Sequence, residues 1–385
     1  MSFTDNDEQR ALRAAVADLG SGYGYSYYIE RARSGGRMTE LWQEAGKLGF
    51  LGVNLPERYG GGGAGMYELS LVLEELAAAG CGLLMMVVSP AICGTVIARF
   101  GTDEQRQHWL PGLASGSKIM AFGITEPDAG SNSHALTTVA RRDGADWVLS
   151  GRKIYISGVD EADAVLIVGR SQDARTGRLK PALFAVPTTA PGFTYQPIEM
   201  ELVTPDRQYL LFLDDVRLPA DALIGEQDAA LAQLFAGLNP ERIMGAAMSV
   251  CTARYALGKA VSYARERIVW DQPIGAHQGI AHPLAQVKIE LELAALMMQK
   301  AATLYDAGDD KAAGEAANMA KYSAAEASVH AVDQAVQTLG GSGLTREYGL
   351  ASLLATSRVS RIAPVSREMV LNFVAQNSLG LPKSY

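Results

Sequence analysis

Cysteine and histidine are scarce in this chain, and their scarcity removes several chemistries at the outset. Three cysteines, Cys81, Cys93 and Cys251, are an odd number without the close pairing of a zinc site, and the five histidines are scattered through 385 residues. Neither a disulfide framework nor a metal centre is expected, and a reducing cytoplasm is the compartment that fits. Positive charge is also short. With 34 Lys and Arg against 42 Asp and Glu, the net charge of -8 argues against a general binder of nucleic acid or of anionic membrane surfaces. The N-terminal MSFTDNDEQRALRAA lacks the basic region and apolar run of a signal peptide. Residues 76–98 carry no charge and are long enough to span a bilayer. Ser89 and Pro90 at their centre, with several glycines and no aromatic belt, predict instead a pair of buried helices joined at that point.

What is present is ordinary for a large folded protein: 48% hydrophobic and 20% charged residues support two or three domains with a sizeable core. Residues 1–118 show helical periodicity broken by turns, as in DEQRALRAAVADL and MYELSLVLEELAAAG. Residues 119–227 change to short strand-like runs such as DWVLSGRKIYIS, ADAVLIVGR and PALFAVP, separated by Gly, Pro and Asp. Residues 228–385 return to long Ala-, Leu- and Glu-rich helical patterns. The fold class is therefore α+β and mostly α, in the order helical, antiparallel β, helical. Gly60, Gly62 and Gly65 match G-x-G-x-x-G, but a helix pattern precedes them where a dinucleotide fingerprint needs a strand, so they read as a structural turn.

Two stretches suit a flat heterocycle. AFGITEPDAGSNSH, residues 121–134, offers hydroxyls at Thr125, Ser131 and Ser133 beside a small-residue turn at Ala129 and Gly130 that a phosphate or ring carbonyl could approach. KIYISG, residues 153–158, places Tyr155 and Ser157 on one side of a strand by the period-2 rule. A third, LNPERIMGAAMS at residues 238–249, sets Glu241 and Arg242 in a small, apolar helix pattern. Asn239 reads as an N-cap and Pro240 as the first helical residue, which would make Glu241 a first-turn acid favoured by the helix dipole.

The order TEPDAGSN, SGRKIYISG, LDDVRLPADALIG, YARERIVWDQPIGAHQ and AVQTLGGSG resembles the acyl-CoA dehydrogenase family over nearly the whole chain. The resemblance implies an N-terminal helical domain, a middle antiparallel β-barrel-like domain and a C-terminal four-helix bundle. It implies FAD between the last two, and a homo-oligomer, dimer or tetramer. Carried over residue by residue, Thr125 and Ser131 match positions that bond the flavin and its pyrophosphate, and Tyr155 and Ser157 match an aromatic, usually Trp, and a hydroxyl flanking the isoalloxazine. Arg267 matches an arginine that reaches across a dimer to the FAD pyrophosphate, and Trp270 and Gln278 match further contacts to the cofactor. Gln337, Gly341 and Ser366 match the loop and hydroxyl at its adenosine end.

In many members the base that takes the α-proton follows an aromatic residue near the C-terminus. SRIAPVSREMV has Ala363 and Pro364 at those two places, so the usual carboxylate is missing. In a second group, which includes isovaleryl-CoA dehydrogenase and the long-chain enzymes, the base belongs to a Glu-Arg pair on a helix, which Glu241 and Arg242 match. The resemblance then implies Glu241 as base, Arg242 as its supporting partner, and FAD-dependent α,β-dehydrogenation of an acyl-CoA to the trans-2-enoyl-CoA, with an electron-transferring flavoprotein as acceptor. A flavin monooxygenase or oxidase, an enoyl-CoA reductase and a dehydrogenase of carrier-protein thioesters are the alternatives on this fold. Pro364 has no N-H to polarise a thioester carbonyl, so Val365 or another N-H has to serve.

Overall fold

The computed structural model describes residues 4–172, 176–226 and 230–383. The boundary expected between residues 227 and 228 lies outside the described residues. The N-terminal part is helical: α1 (Asp7–Ser34), α2 (Thr39–Lys47), α3 (Met66–Ala78), α4 (Leu84–Met86), a π-helical segment (Val87–Gly94), α5 (Thr95–Phe100) and α6 (Asp103–Ser115). Reciprocal bonds between Asn6 and Gln9, and between Thr102 and Gln105, close the first turns of α1 and α6. The glycine-rich run before α3 is a turn, with Gly62 N bonded to Gly52 O and Gly63 N to Leu55 O. A Cβ on Gly61 would lie 2.2 Å from Leu55 O, so close backbone approach explains that glycine. The free N-H groups at the start of α3 are taken by the carboxylate of Asp306, 2.7 Å from Met66 N and 3.0 Å from Tyr67 N.

The uncharged stretch departs from the expected joined pair. The helix continues from Leu84 through Pro90 to Phe100, and the wider π turn absorbs the proline. Ser89 is buried and its Oγ accepts from Met120 N at 3.1 Å, which ties this helix to the first strand. Among the described residues, no helix is long and apolar enough to cross a membrane.

The middle region is a sheet of β1 (Met120–Gly123), β2 (Val139–Asp143), β3 (Asp146–Ser157), β4 (Ala164–Gln172), β5 (Leu179–Pro187), β6 (Phe193–Ile198), β7 (Gln208–Leu218) and β8 (Leu223–Ile224). The strand order is β6-β7-β3-β2-β4-β5-β8. It is not wholly antiparallel. β4 takes β1 as a parallel partner at its start and β2 as another at its end. One side of the sheet buries Trp147, Phe184 and Leu211, and the other packs Leu166 and Leu183 against Val96 and Leu110 of α5 and α6.

The C-terminal part comprises α7 (Ala230–Glu266), β9 (Ile268–Val269), β10 (Gln272–Pro273), α8 (Gln278–Asp306), α9 (Asp310–Leu339), α10 (Leu350–Ile362) and α11 (Arg367–Phe373). Buried alanines line the inward faces, including Ala246, Ala247, Ala253 and Ala260 of α7 and Ala317, Ala320, Ala324 and Ala331 of α9. Small side chains let these long helices approach closely and form one core with α3 and the π segment.

Candidate active site

The capping reading of LNPERIM fails, because α7 begins well before it and Pro240 lies inside the helix. Proline supplies no N-H to the carbonyl four residues back, that of Ala236. Tyr305 Oη donates to that carbonyl at 3.0 Å, and the Asn239 side-chain amide donates to Asp310 O at 3.4 Å. Glu241 therefore sits mid-helix, away from the positive end of the dipole. Burial pushes its carboxyl up to about 7, against the opposing pull of the Arg242 and Lys321 charges. The Arg242 guanidinium donates from Nη1 to Leu238 O at 2.9 Å, while its buried Nε has no partner.

Two further elements approach this part of α7. The π segment brings the buried Cys93, whose thiol donates to Ala121 O at 3.5 Å and is pushed up by burial and by the charge of Glu241. The 363–366 loop, with a cis Ala363–Pro364 bond, approaches α7 at Gly245, one turn beyond Glu241. A Cβ on Gly245 would stand 3.7 Å from Pro364 Cδ. Ser366 caps α11, accepting from Met369 N at 3.3 Å, and Glu368 is exposed beside Arg367.

The β region gathers a second group. Glu126 and Lys153, neither singled out in the sequence, form a buried pair at 2.8 Å. Glu126 also accepts from Thr137 N, Thr137 Oγ1 and Thr138 N, while Lys153 donates to Ile124 O at 3.0 Å. Burial raises the Glu126 carboxyl, but the bonds from Lys153 and Thr138 outweigh it and hold it down at about 2. Burial brings Lys153 down to about 8, with Glu126 resisting. This cluster pins the TEPDAGSN loop to β3, and Ile154 N donates to Thr125 O at 2.9 Å. Thr125 is thereby set beside Tyr155, whereas Ser131 is exposed further along the loop.

Tyr155 does not obey the period-2 rule. A bulge falls between Lys153 and Ile156, and Tyr155 takes a left-handed φ of 59° that leaves its ring 57% exposed. Ser157 donates from Oγ to Gln208 Oε1 at 3.0 Å. The other matched residues occupy two more places. Arg267, Trp270 and Gln278 flank the β9-β10 hairpin and the start of α8, where Trp270 and Asp271 form a turn with φ of 49° and 65° and Trp270 is 84% exposed. Gln337 and Gly341 lie exposed at the end of α9 and in the turn after it.

Comparison with known proteins adds to this geometry. The N-terminal, middle and C-terminal domain profiles of acyl-CoA dehydrogenase match residues 6–117, 121–216 and 231–379. The chain belongs to the acyl-CoA dehydrogenase family. The acyl-CoA dehydrogenase FadE12 of Mycobacterium tuberculosis is 70% identical to it, with 100% of this chain and 99% of that protein covered. The structure of a glutaryl-coenzyme A dehydrogenase with glutaryl-CoA is similar at a TM-score of 0.94 and 28% identity, over 100% of this chain and 98% of the other. A glutaryl-CoA dehydrogenase from Mycobacterium smegmatis, solved with FADH2, is similar at a TM-score of 0.90 and 29% identity, over 99% and 96% of the two chains.

FAD is the cofactor of this acyl-CoA dehydrogenase, and the side chains present fit it. The open aromatic face of Tyr155, the hydroxyls of Thr125, Ser131 and Ser157, and the exposed Arg267 supply a stacking surface, hydrogen bonds and a cation. His277 Nε2, buried without a partner beside Trp270, is a polar atom still to be satisfied there. Sequence reasoning missed Glu126, Lys153, Lys321 and Cys93. A lysine alternating with apolar residues inside a strand run, as Lys153 does in KIYIS, was the available signal for the first pair. Lys321, alone among alanines in MAKYSAA, was the signal for the third.

Proposed function

We propose that this acyl-CoA dehydrogenase removes the α-proton of a saturated acyl-CoA thioester with Glu241 and releases the trans-2-enoyl-CoA. The observation that carries this reading is a carboxyl held by burial at about 7, close to the pH at which a general base has to act. The alternative base position holds Pro364, and Glu368 faces solvent. FAD, when bound, accepts the hydride that leaves the β-carbon. Glu241 takes the proton at its carboxylate, and Arg242 offsets the negative charge of the resting base. Val365 N-H polarises the thioester carbonyl in place of the donor that Pro364 lacks.

Tyr155 and Ser157 flank the isoalloxazine, and Thr125 and Ser131 bond the flavin and pyrophosphate. Arg267, Gln337 and Gly341 serve the cofactor of a partner subunit, and Trp270, Gln278 and Ser366 make further contacts to FAD. The location of Arg267 at the β9-β10 hairpin, and of Gln337 and Gly341 at the end of α9 and in the turn after it, both apart from the β-region group, supports a site shared between copies, hence a homo-oligomer, dimer or tetramer. Residues 1–118, 119–227 and 228–385 act as its three units. The reduced protein passes its electrons to an electron-transferring flavoprotein in the cytoplasm.

Incubating the purified yellow protein without oxygen with straight and branched acyl-CoAs tests the reaction. Flavin bleaching, with an enoyl-CoA two mass units below the substrate, is the expected result. A flavin that stays oxidised with every saturated thioester would contradict it.

A further inference from the structure

The 363–366 loop is held from one side by a single helix. Lys321 of α9 is 3% exposed, and its ammonium donates to Val365 O. Further along α9, Glu326 accepts from Arg361 Nη2 at 2.6 Å and stands 3.6 Å from Arg367 Nη1. Arg361 ends α10 and Arg367 begins α11, so Glu326 grips both ends of the loop while Lys321 grips its middle. On the opposite side Pro364 rests against Gly245, on the face of α7 that carries Glu241.

We propose that Lys321 is a positioning residue: with Glu326 it clamps the 363–366 loop over Glu241, and its ammonium joins the Arg242 guanidinium in balancing the carboxylate. The second half rests on the reading of Glu241 as base. The charges acting on Glu241 are those of Arg242 on its own helix and Lys321 from α9, and the Cys93 thiol of the π segment, pushed up by burial and by Glu241, is neutral. Those acting on Lys321 are Arg242, Glu326, Glu368 and Glu241, and burial together with Arg242 brings it down to about 8. Losing the lysine removes one of two cations beside the base, so the carboxyl takes its proton more readily. It also frees Val365 O, which loosens the adjoining Val365 N-H.

The test uses FAD-loaded Lys321→Met, Lys321→Arg and Glu326→Gln. Backbone hydrogen exchange over residues 362–367 is measured beside the pH profile of kcat/KM. In Lys321→Met, exchange is expected to rise about tenfold, as loss of one charge-assisted bond implies. The acid limb is expected to move upward by at least ~0.5 pH unit. Lys321→Arg restores both in part, and Glu326→Gln raises exchange at the loop ends. Unchanged exchange in Lys321→Met, with FAD and melting temperature retained, overturns the clamp. Faster exchange with an unmoved limb overturns the charge-balancing half alone. If Lys321→Met does not fold, unchanged exchange in Glu326→Gln is decisive against the clamp. Glu241→Gln at the wild-type rate would instead remove the base assignment and leave the exchange result standing.

Discussion

A carboxyl group withdrawn from water costs the fold energy whenever it ionises, and Glu241, partly buried on α7, meets that cost just below neutral pH. Between about 4.5 and 7 the native state holds a proton that the unfolded chain has released, so stability falls as pH rises through this window. Glu241→Gln removes the cost. At pH 8 the variant is expected to be more stable than the parent by about 2–3 kcal/mol, with the gap closing as pH falls to 4.5. Thermal denaturation across pH measures this, and equal stabilities at pH 8 would show that the carboxyl is solvated. Glu126 carries the opposite sign. Its depressed value means that it stabilises the fold above about 4.5 and loses that contribution as pH falls toward 2. Glu126→Gln leaves the Lys153 charge buried and is expected to cost about 3–5 kcal/mol and to weaken FAD retention, read by denaturant titration and flavin content. Glu241 stood out in the sequence because the Glu241-Arg242 pair matches an arrangement of the family and the usual base position holds proline. Glu126 and Lys153 did not, since a charge in a loop and a charge on a strand ordinarily point to water, and only the tertiary pairing reverses that expectation.

Secondary-structure elements were legible where one period held and were misread where a special residue interrupted it. Helical and strand textures located the three regions, because hydrophobic periodicity reports the buried face directly. Three elements defied local rules. Pro240 reads as a helix start, yet Tyr305 satisfies the carbonyl that the proline leaves free, so the helix runs on. Pro90 reads as a joint, yet a π turn accommodates it. Tyr155 reads as one face of a strand, yet a bulge turns it. In each case a distant partner or a backbone irregularity wins over local preference. The first is open to a double-mutant test. Tyr305→Phe is expected to cost about 1–3 kcal/mol by leaving Ala236 O unpaired, and adding Pro240→Ala should recover most of that loss by restoring the helical N-H. Additive effects in the cycle would mean that the hydroxyl does not compensate the proline.

At the scale of the whole molecule, β4 joins the layers by pairing with β1, β2 and β5, and α7 links Glu241 to the β9-β10 hairpin at its far end. Ile289, Leu293 and Leu296 recur at helical spacing on α8 and are 61%, 62% and 44% exposed, an apolar stripe that a second copy would cover. Leu293→Glu is expected to shift the protein toward smaller species in sedimentation velocity while preserving its circular dichroism, and an unchanged species distribution would place the interface elsewhere. The most direct test of the chemistry is the reductive half-reaction without oxygen, followed by stopped flow at pH 8 in the parent and in Glu241→Gln, each loaded with FAD. With Glu241 as the base, flavin reduction by a saturated acyl-CoA slows about 10²- to 10⁴-fold in the variant while FAD stays bound. Reduction at the parent rate would show that another group takes the proton.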